Sequence, residues 1–307
     1  MSASAPRSSN ASRWLREQYG VCDSIQGIRD LVRACQVERG VAGPPYDPLD
    51  LAESRLVHSL RLQQLHCPAY LETDREGFVI FLDRVVGSQV DAEYRLGDGR
   101  RPESLTPRQR FSLAHEIAHT FFYDYRRVPP ERPEVLGRHG DVAEERLCDV
   151  GAQEILAPRA ALAAFMEGRQ GNYAEASVAI ASRFVLSVQA ASFGLLAVQD
   201  KVVCAVYFTQ SAKPGQPHTN KLRVGWKATR PGSWVPTGAS ARRVPGIVET
   251  ARDHAGGRYE GEVELGSVRG QCSVHTKFFE SRDREPEVLA VIVSNTHCVL
   301  DTASAPS

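Results

Sequence analysis

The sequence predicts an α+β protein built from two domains, and three observations carry that expectation. A largely apolar, helix-period stretch from Glu103 to Pro158 is preceded by short alternating runs, the pattern of a small sheet packed against helices. Beyond Lys201 the texture changes to short β-rich runs, which puts a domain boundary near residue 199. At 307 residues the chain is long enough for two cores. The expected division is a disordered tail over 1–12, a first domain over 13–199, a β-rich second domain over 200–302 and a tail over 303–307.

Composition narrows the class. With 42% hydrophobic and 24% charged residues the chain reads as an ordinary soluble protein, and its Lys and Arg balance its Asp and Glu at 37 each, so any charge signal for a partner must be regional. Met1–Ser9 has no apolar core that would make it a signal peptide, and no stretch approaches the roughly 18 apolar residues of a membrane span. Seven cysteines, an odd number without C-x-x-C pairing, fit a reducing cytoplasm better than a disulfide framework.

Along the chain, Trp14–Tyr19 and Ile25–Val37 have helical amphipathic spacing. Gly43–Pro48 is a loop, and Leu49–Ser54 a short helix. Strand patterns follow at Leu56–Leu65, Ala69–Glu72 and Phe78–Leu82, the last two joined by the turn Asp74-Arg75-Glu76-Gly77.

The centre of the chain is Arg110-Phe111-Ser112-Leu113-Ala114-His115-Glu116-Ile117-Ala118-His119-Thr120. Thr106 offers an N-cap and Pro107 a first helical residue, so this is a helix, largely buried through Phe111, Leu113, Ala114, Ile117, Ala118 and Phe121. Residues four apart share a helix face, which lets His115 and His119 close on one metal ion, with Glu116 leaning over the same face as a base for an activated water. H-E-x-x-H arises by chance in roughly one chain in a hundred of this length, so the motif needs its context. That context is the apolar packing and a downstream source of a third ligand.

The third ligand is sought in Asp141–Pro158, an acid-started helix stopped by proline, in which Glu144, Glu145 and Asp149 are all candidates. Together R-F-S-L-A-H-E-I-A-H and E-x-x-C-D-x-x-A-x-E-I-L-A-P resemble the ImmA/IrrE family of bacterial metallopeptidases, which typically read R-F-T-x-A-H-E-x-G-H and E-x-x-A-N-x-F-A-x-x-L-L-M-P. The resemblance implies a zincin-like metallopeptidase domain with His115, His119 and Glu145 as Zn2+ ligands and Glu116 as general base. Ala118 stands for the family's Gly and Gly151 for its Phe, a change expected to loosen local packing. A small sheet ahead of the metal helix is the zincin layout, in which an edge strand can pair with an extended substrate.

Cys67, in Leu65-His66-Cys67-Pro68 at the lip of that sheet, is a candidate inhibitory thiol that would occupy the open zinc position. Tyr123 and Tyr125, following the metal helix, are candidates for steadying the oxyanion.

After Pro158, Arg159–Glu167 and Ala174–Gln199 are helical by period. Ala179–Ala191 resembles the helix-turn-helix-like extension that family members carry, with Val185 where a turn Gly is usual. Its second helix has almost no basic residues, which favours packing over DNA reading.

The second domain is expected to carry strands at Val202–Thr209, Leu222–Trp226, Gly261–Leu265, Cys272–Phe279 and Val288–Val293. The resemblance implies a mixed α/β, GAF-like sensor here. Between Asp200 and Glu249 there is no acidic residue, while Lys221, Arg223, Lys227, Arg230, Arg242 and Arg243 are interleaved with Tyr207, Phe208, Trp226 and Trp234. Cations for phosphates beside aromatic faces for bases are the requirements of single-strand binding.

The function expected is a cytoplasmic zinc endopeptidase that cleaves a partner helix-turn-helix repressor to release stress, DNA-damage or phage-defence genes, activated by single-stranded DNA. The repressor and the defence context, that of a CapP-like branch, are what the resemblance implies. The alternative is a DNA-binding transcription regulator whose zinc is structural, and a third reading is a protease with no activator.

Overall fold

The computed structural model describes residues 9–84, 91–98, 101–137, 141–169, 171–213, 216–230, 233–280, 286–294 and 299–300. Residues 1–8 and 303–307, expected as tails, lie outside them. The chain separates into two compact units, Met1–Pro158 and Arg159–Ser307. This division falls ahead of the boundary that composition suggested near 199, and it groups the helical extension with the C-terminal sheet.

The first unit opens with α1 (Asn10–Tyr19), whose Ser9 cap draws into the helix three residues expected as tail. It continues with α2 (Ser24–Glu38), α3 (Leu49–Ala52) and the strands β1 (Val57–Gln63), β2 (Ala69–Thr73), β3 (Phe78–Asp83) and β4 (Ala92–Arg95). The sheet order is β2-β3-β1-β4, with β1 and β3 parallel and both outer pairings antiparallel. The strand β4 is only four residues, Ala-Glu-Tyr-Arg, and although it alternates it buries no side chain fully, too short a pattern to be read as a strand from sequence.

The metal-motif helix α4 (Pro107–His119) starts at a complete capping box: Gln109 N–H donates to Thr106 Oγ1 at 3.2 Å, and Thr106 N–H donates back to Gln109 Oε1 at 3.0 Å. Such a cap stabilises a helix by about 1 kcal/mol and fixes its first turn. Leu113 and Ile117 are fully buried, each contributing about 1.5–3 kcal/mol, in a helix that packs against β2, β3 and α5 (Val142–Leu156).

At the far end Arg55 is buried, donating from Nε to Thr120 Oγ1 at 3.0 Å and from a terminal nitrogen to Thr120 O at 3.1 Å, with its guanidinium 4.1 Å from the Phe121 ring centre. A cation on the last carbonyls complements the helix dipole just beyond His119.

The contact between α4 and α5 corrects one expectation. A Cβ on Gly151 would stand 2.8 Å from Ala118 Cβ, so the glycine makes room for the alanine methyl. The two departures from the family pattern compensate each other, one small residue facing another.

The second unit has α6 (Arg159–Met166), α7 (Tyr173–Phe184) and α8 (Val188–Val198), the last two meeting at 112° around Val185 in the left-handed region at φ 55°. The α8 helix packs against the sheet and buries Ala190, Ala191, Leu195 and Leu196, while Phe193 on the same helix is exposed. Among the described residues no single helix is long and apolar enough to cross a membrane.

The sheet comprises β5 (Val202–Lys213), β6 (Gln216–Thr229), β7 (Gly257–Leu265), β8 (Val268–Phe279), β9 (Glu287–Ser294) and the short β10 (Val299–Leu300), with α9 (Ile247–Asp253) between β6 and β7. It is antiparallel throughout: β6 pairs β5, β5 pairs β9, β9 pairs β8, and β8 also takes β7 and β10. Phe208, Val224, Val274 and Ile292 lie in its core.

Candidate metal centre

Helical spacing brings the two imidazoles together as expected. The Nε2 atoms of His115 and His119 stand 3.1 Å apart, with the rings at 65° to one another. From α5, the Glu145 carboxylate meets both rings, one oxygen each: Oε2 is 3.1 Å from His115 Nε2, and Oε1 is 3.6 Å from His119 Nε2.

The other two acids take the opposite side of each ring. Asp149 Oδ1 is 3.0 Å from His115 Nδ1, and Glu144 Oε1 is 3.0 Å from His119 Nδ1. Glu144 is fully buried and also accepts from two nitrogens of Arg132, at 3.0 and 2.7 Å. Glu144 and Asp149, rivals of Glu145 by sequence, are thereby engaged as orienting partners. Arg132 was not visible in the sequence as part of the site, because it comes from a Pro-rich loop with no periodic pattern.

The tautomers follow from this arrangement. An ionised carboxylate only accepts, so each Nδ1 must carry the proton it shares with Asp149 or Glu144. A neutral imidazole then turns a bare Nε2 lone pair inward. Two such lone pairs and the Glu145 carboxylate converge on one point, which is stable only with a positive charge among them. Donors about 2.0–2.1 Å from an ion at the centre of a tetrahedron stand about 3.3–3.4 Å from one another. The two Nε2 atoms, 3.1 Å apart, are close to that edge, and the Glu145 carboxylate reaches one imidazole with each oxygen, at 3.1 and 3.6 Å, so these residues fit a divalent ion.

Without an ion the same cage favours a proton. Burial opposes a charged His119, but its hydrogen bonds to Cys148, Glu144 and Glu145 outweigh burial and raise its pKa far above the ordinary histidine value. The hydrogen bond from His119 is the largest influence on Glu145, whose carboxyl is lowered to about 2 although burial works the other way. Glu144 is likewise lowered, its bonds to His119 and Arg132 overcoming its burial.

Glu116 differs from these acids. It is buried beside the histidines, and burial raises its carboxyl pKa despite the nearby imidazoles. A carboxyl whose pKa moves toward neutrality is suited to taking and returning a proton.

The remaining sequence candidates divide. Cys67 is exposed at the start of β2, its Sγ donating to Ala69 O at 3.4 Å; the thiol brought beside the histidines is that of Cys148. One ligand atom each from His115, His119 and Cys148 lie within 4.8 Å of one another. Two third donors therefore compete on geometry, Glu145 and Cys148. Glu145 is favoured for an apo site by its shorter contacts and its ionised state, since burial pushes the Cys148 thiol up to about 12. The one-turn spacing from Glu145 was the signal in the sequence that Cys148 shares its face.

Tyr123 is buried and lies against Arg132, whereas the Tyr125 ring is 4.9 Å from the Arg55 guanidinium.

The expected nucleic-acid residues are partly committed elsewhere. Arg223 donates to Gly238 O at 3.1 Å, Lys227 to Val235 O, and Arg230 to Val202 O and Gln199 O at 2.7 and 2.6 Å. Trp226 stacks on Tyr207 at 5.1 Å, and Phe208 is core rather than surface. Lys221, Arg242 and Arg243 are exposed.

Residues 102–196 match a family model described as the IrrE N-terminal-like domain, a peptidase family. No curated protein matches the chain.

Proposed function

With residues 102–196 making the chain a member of the ImmA/IrrE family of metallopeptidases, we propose that it is a zinc-dependent endopeptidase acting through His115, Glu116, His119 and Glu145. The observation that carries this reading is the convergence of two imidazole Nε2 atoms and one carboxylate with separations of 3.1–3.6 Å, next to a buried acid that is not needed to hold them.

A zinc ion held by His115, His119 and Glu145 supplies Lewis-acid polarisation of a peptide carbonyl and acidification of a water. The protein's own groups do the rest. Asp149 and Glu144 keep the Nδ1 protons in place, and Arg132 keeps Glu144 ionised and fixed. Glu116 takes a proton from the attacking water and returns it to the departing amine nitrogen, a role helped by its raised pKa. The edge strand β2, packed beside α4, suits an extended substrate backbone.

The substrate proposed is a helix-turn-helix repressor, on the strength of the family resemblance, and the second unit is proposed as a GAF-like sensor. Single-stranded DNA as its ligand is supported by the exposed Lys221, Arg242 and Arg243, a smaller set than the sequence offered. The rival reading, a transcription regulator with a structural zinc, is favoured by the thiol of Cys148, a donor type usual in closed zinc sites.

Glu116→Gln separates the two. It should lower peptide hydrolysis by about 10²–10⁴-fold while leaving metal content and fold intact. Hydrolysis of the partner repressor at the wild-type rate would overturn the proposal. Repeating the assay with and without a short single-stranded DNA tests the activator.

A further inference from the structure

His119 is the last residue of α4, and a metal ligand in that place needs support. The last carbonyls of a helix have no partners within it, so the final turn frays first, yet a ligand atom must keep its place to within about 0.2 Å. The structure supplies donors from outside the helix. Phe121 O, two residues past His119, accepts from Trp14 Nε1 at 3.1 Å and from Tyr19 Oη at 3.2 Å, both of them on α1. The Tyr19 ring also meets the Phe121 ring edge-on, with centres 6.4 Å apart. Apolar packing alone would not direct two donors from one helix onto a single oxygen.

The same helix reaches the rest of the site. It packs against the turns Thr120–Phe122 and Glu134–Leu136 and against α5, segments that follow His119, follow Arg132 and carry Glu144 and Glu145. Ser9 caps its start, accepting from Ser12 N–H at 3.1 Å, and Gly20 closes its end at φ 71°. At ten residues it is too short to be stable alone, so its order depends on the fully buried Ala11 and Leu15 and on the two hydrogen bonds to Phe121.

We propose that Trp14 and Tyr19 are positioning residues of the metal centre, which make the docking of α1 a condition for His119 to reach the ion. The inference rests on the metallopeptidase reading and adds a means of regulation to it. Whatever lifts α1 from Phe121 loosens the metal, and by linkage a bound metal tightens α1.

The test compares the full chain, metal-free and zinc-loaded, as wild type, Trp14→Phe, Tyr19→Phe, the double variant, and Val57→Ala, a core truncation in β1 that controls for lost stability. The Phe substitutions keep a ring and remove a donor. Each single variant leaves Phe121 O one donor, so the loss of zinc affinity, read by chelator competition, should be small in either and about 10–100-fold in the double. Zinc should slow amide hydrogen exchange in α1 of the wild type by a factor of the same order. That protection should be gone in the double variant while circular dichroism shows it folded.

Zinc that binds tightly to the wild type without slowing exchange in α1 overturns the inference and leaves the metallopeptidase reading standing. A double variant whose zinc affinity falls no further than that of Val57→Ala also overturns it, for then α1 contributes stability alone. A wild type that binds no zinc removes both readings. Should the double variant fail to fold, the wild-type exchange comparison decides the question without it.

Discussion

Replacing Glu144 by Gln probes the support of the site without touching a donor to the metal. The Glu144 carboxylate is fully buried, accepts from Arg132 at 3.0 and 2.7 Å, and holds His119 Nδ1 at 3.0 Å, while the Arg132 side chain is 14% exposed. An amide keeps the size but loses the charge and turns N–H groups toward a guanidinium. Removing one member of a buried ion pair costs about 3–5 kcal/mol, because the other charge is left behind. For a unit of about 150–250 residues each kcal/mol moves the melting temperature by about 2–4 °C, so a fall of about 6–20 °C is expected. Zinc affinity should drop by about 10–100-fold through the freed imidazole. Thermal unfolding by circular dichroism and competition with a chromophoric chelator read the two quantities. Unchanged stability together with unchanged affinity would refute the relay. If Glu144→Gln abolished metal binding while Glu145→Gln kept it, the two glutamates would have to exchange roles.

Further outcomes follow from the same geometry. In metal-free protein the depressed Glu145 carboxyl contributes stability that is fully present above the ordinary carboxylate value of 4.5 and is lost as pH falls toward about 2. The melting-temperature gap between wild type and Glu145→Gln, measured after chelation, should therefore narrow across that window; a gap constant with pH would contradict it. Gly151→Ala should destabilise by about 1–3 kcal/mol, since the new methyl meets Ala118 Cβ at 2.8 Å, and this exceeds the roughly 1 kcal/mol gained in helix propensity. Adding Ala118→Gly should recover part of the loss, and urea unfolding of the two variants that fails to show this coupling would argue against the close contact.

Much of the first unit was legible because its signals are local. Thr106, Pro107 and Asp141 announce helix starts by their capping chemistry, and the four-residue spacing of His115 and His119 is a property of any helix. The acids were legible as a set, and it was the resemblance, not spacing, that singled out Glu145. Which of Glu144, Glu145 and Asp149 faces an Nε2 depends on the rotation of α5 against α4, and that is fixed by Gly151 meeting Ala118 across the helix pair. Arg132 could not be found, since nothing local ties a loop arginine to a glutamate on a later helix.

The basic interval was legible in charge but not in contacts. Arg223, Lys227 and Arg230 look free in a sequence, yet the fold spends them on main-chain carbonyls whose positions only the strand pairing determines. The place of α7 and α8 is a matter of packing as well as composition: texture changes near 199, whereas these helices pack against the C-terminal sheet.

The central claim is that two bare imidazole nitrogens and a carboxylate are gathered to hold a divalent ion. Titration of the metal-free chain with zinc, followed by competition with a chelator and compared with His119→Ala, tests it most directly. Tight binding stoichiometric with the chain in wild type, lost in the variant while the fold persists, is the predicted result. A folded wild type that takes up no zinc, or a His119→Ala protein that binds it equally well, would contradict the account.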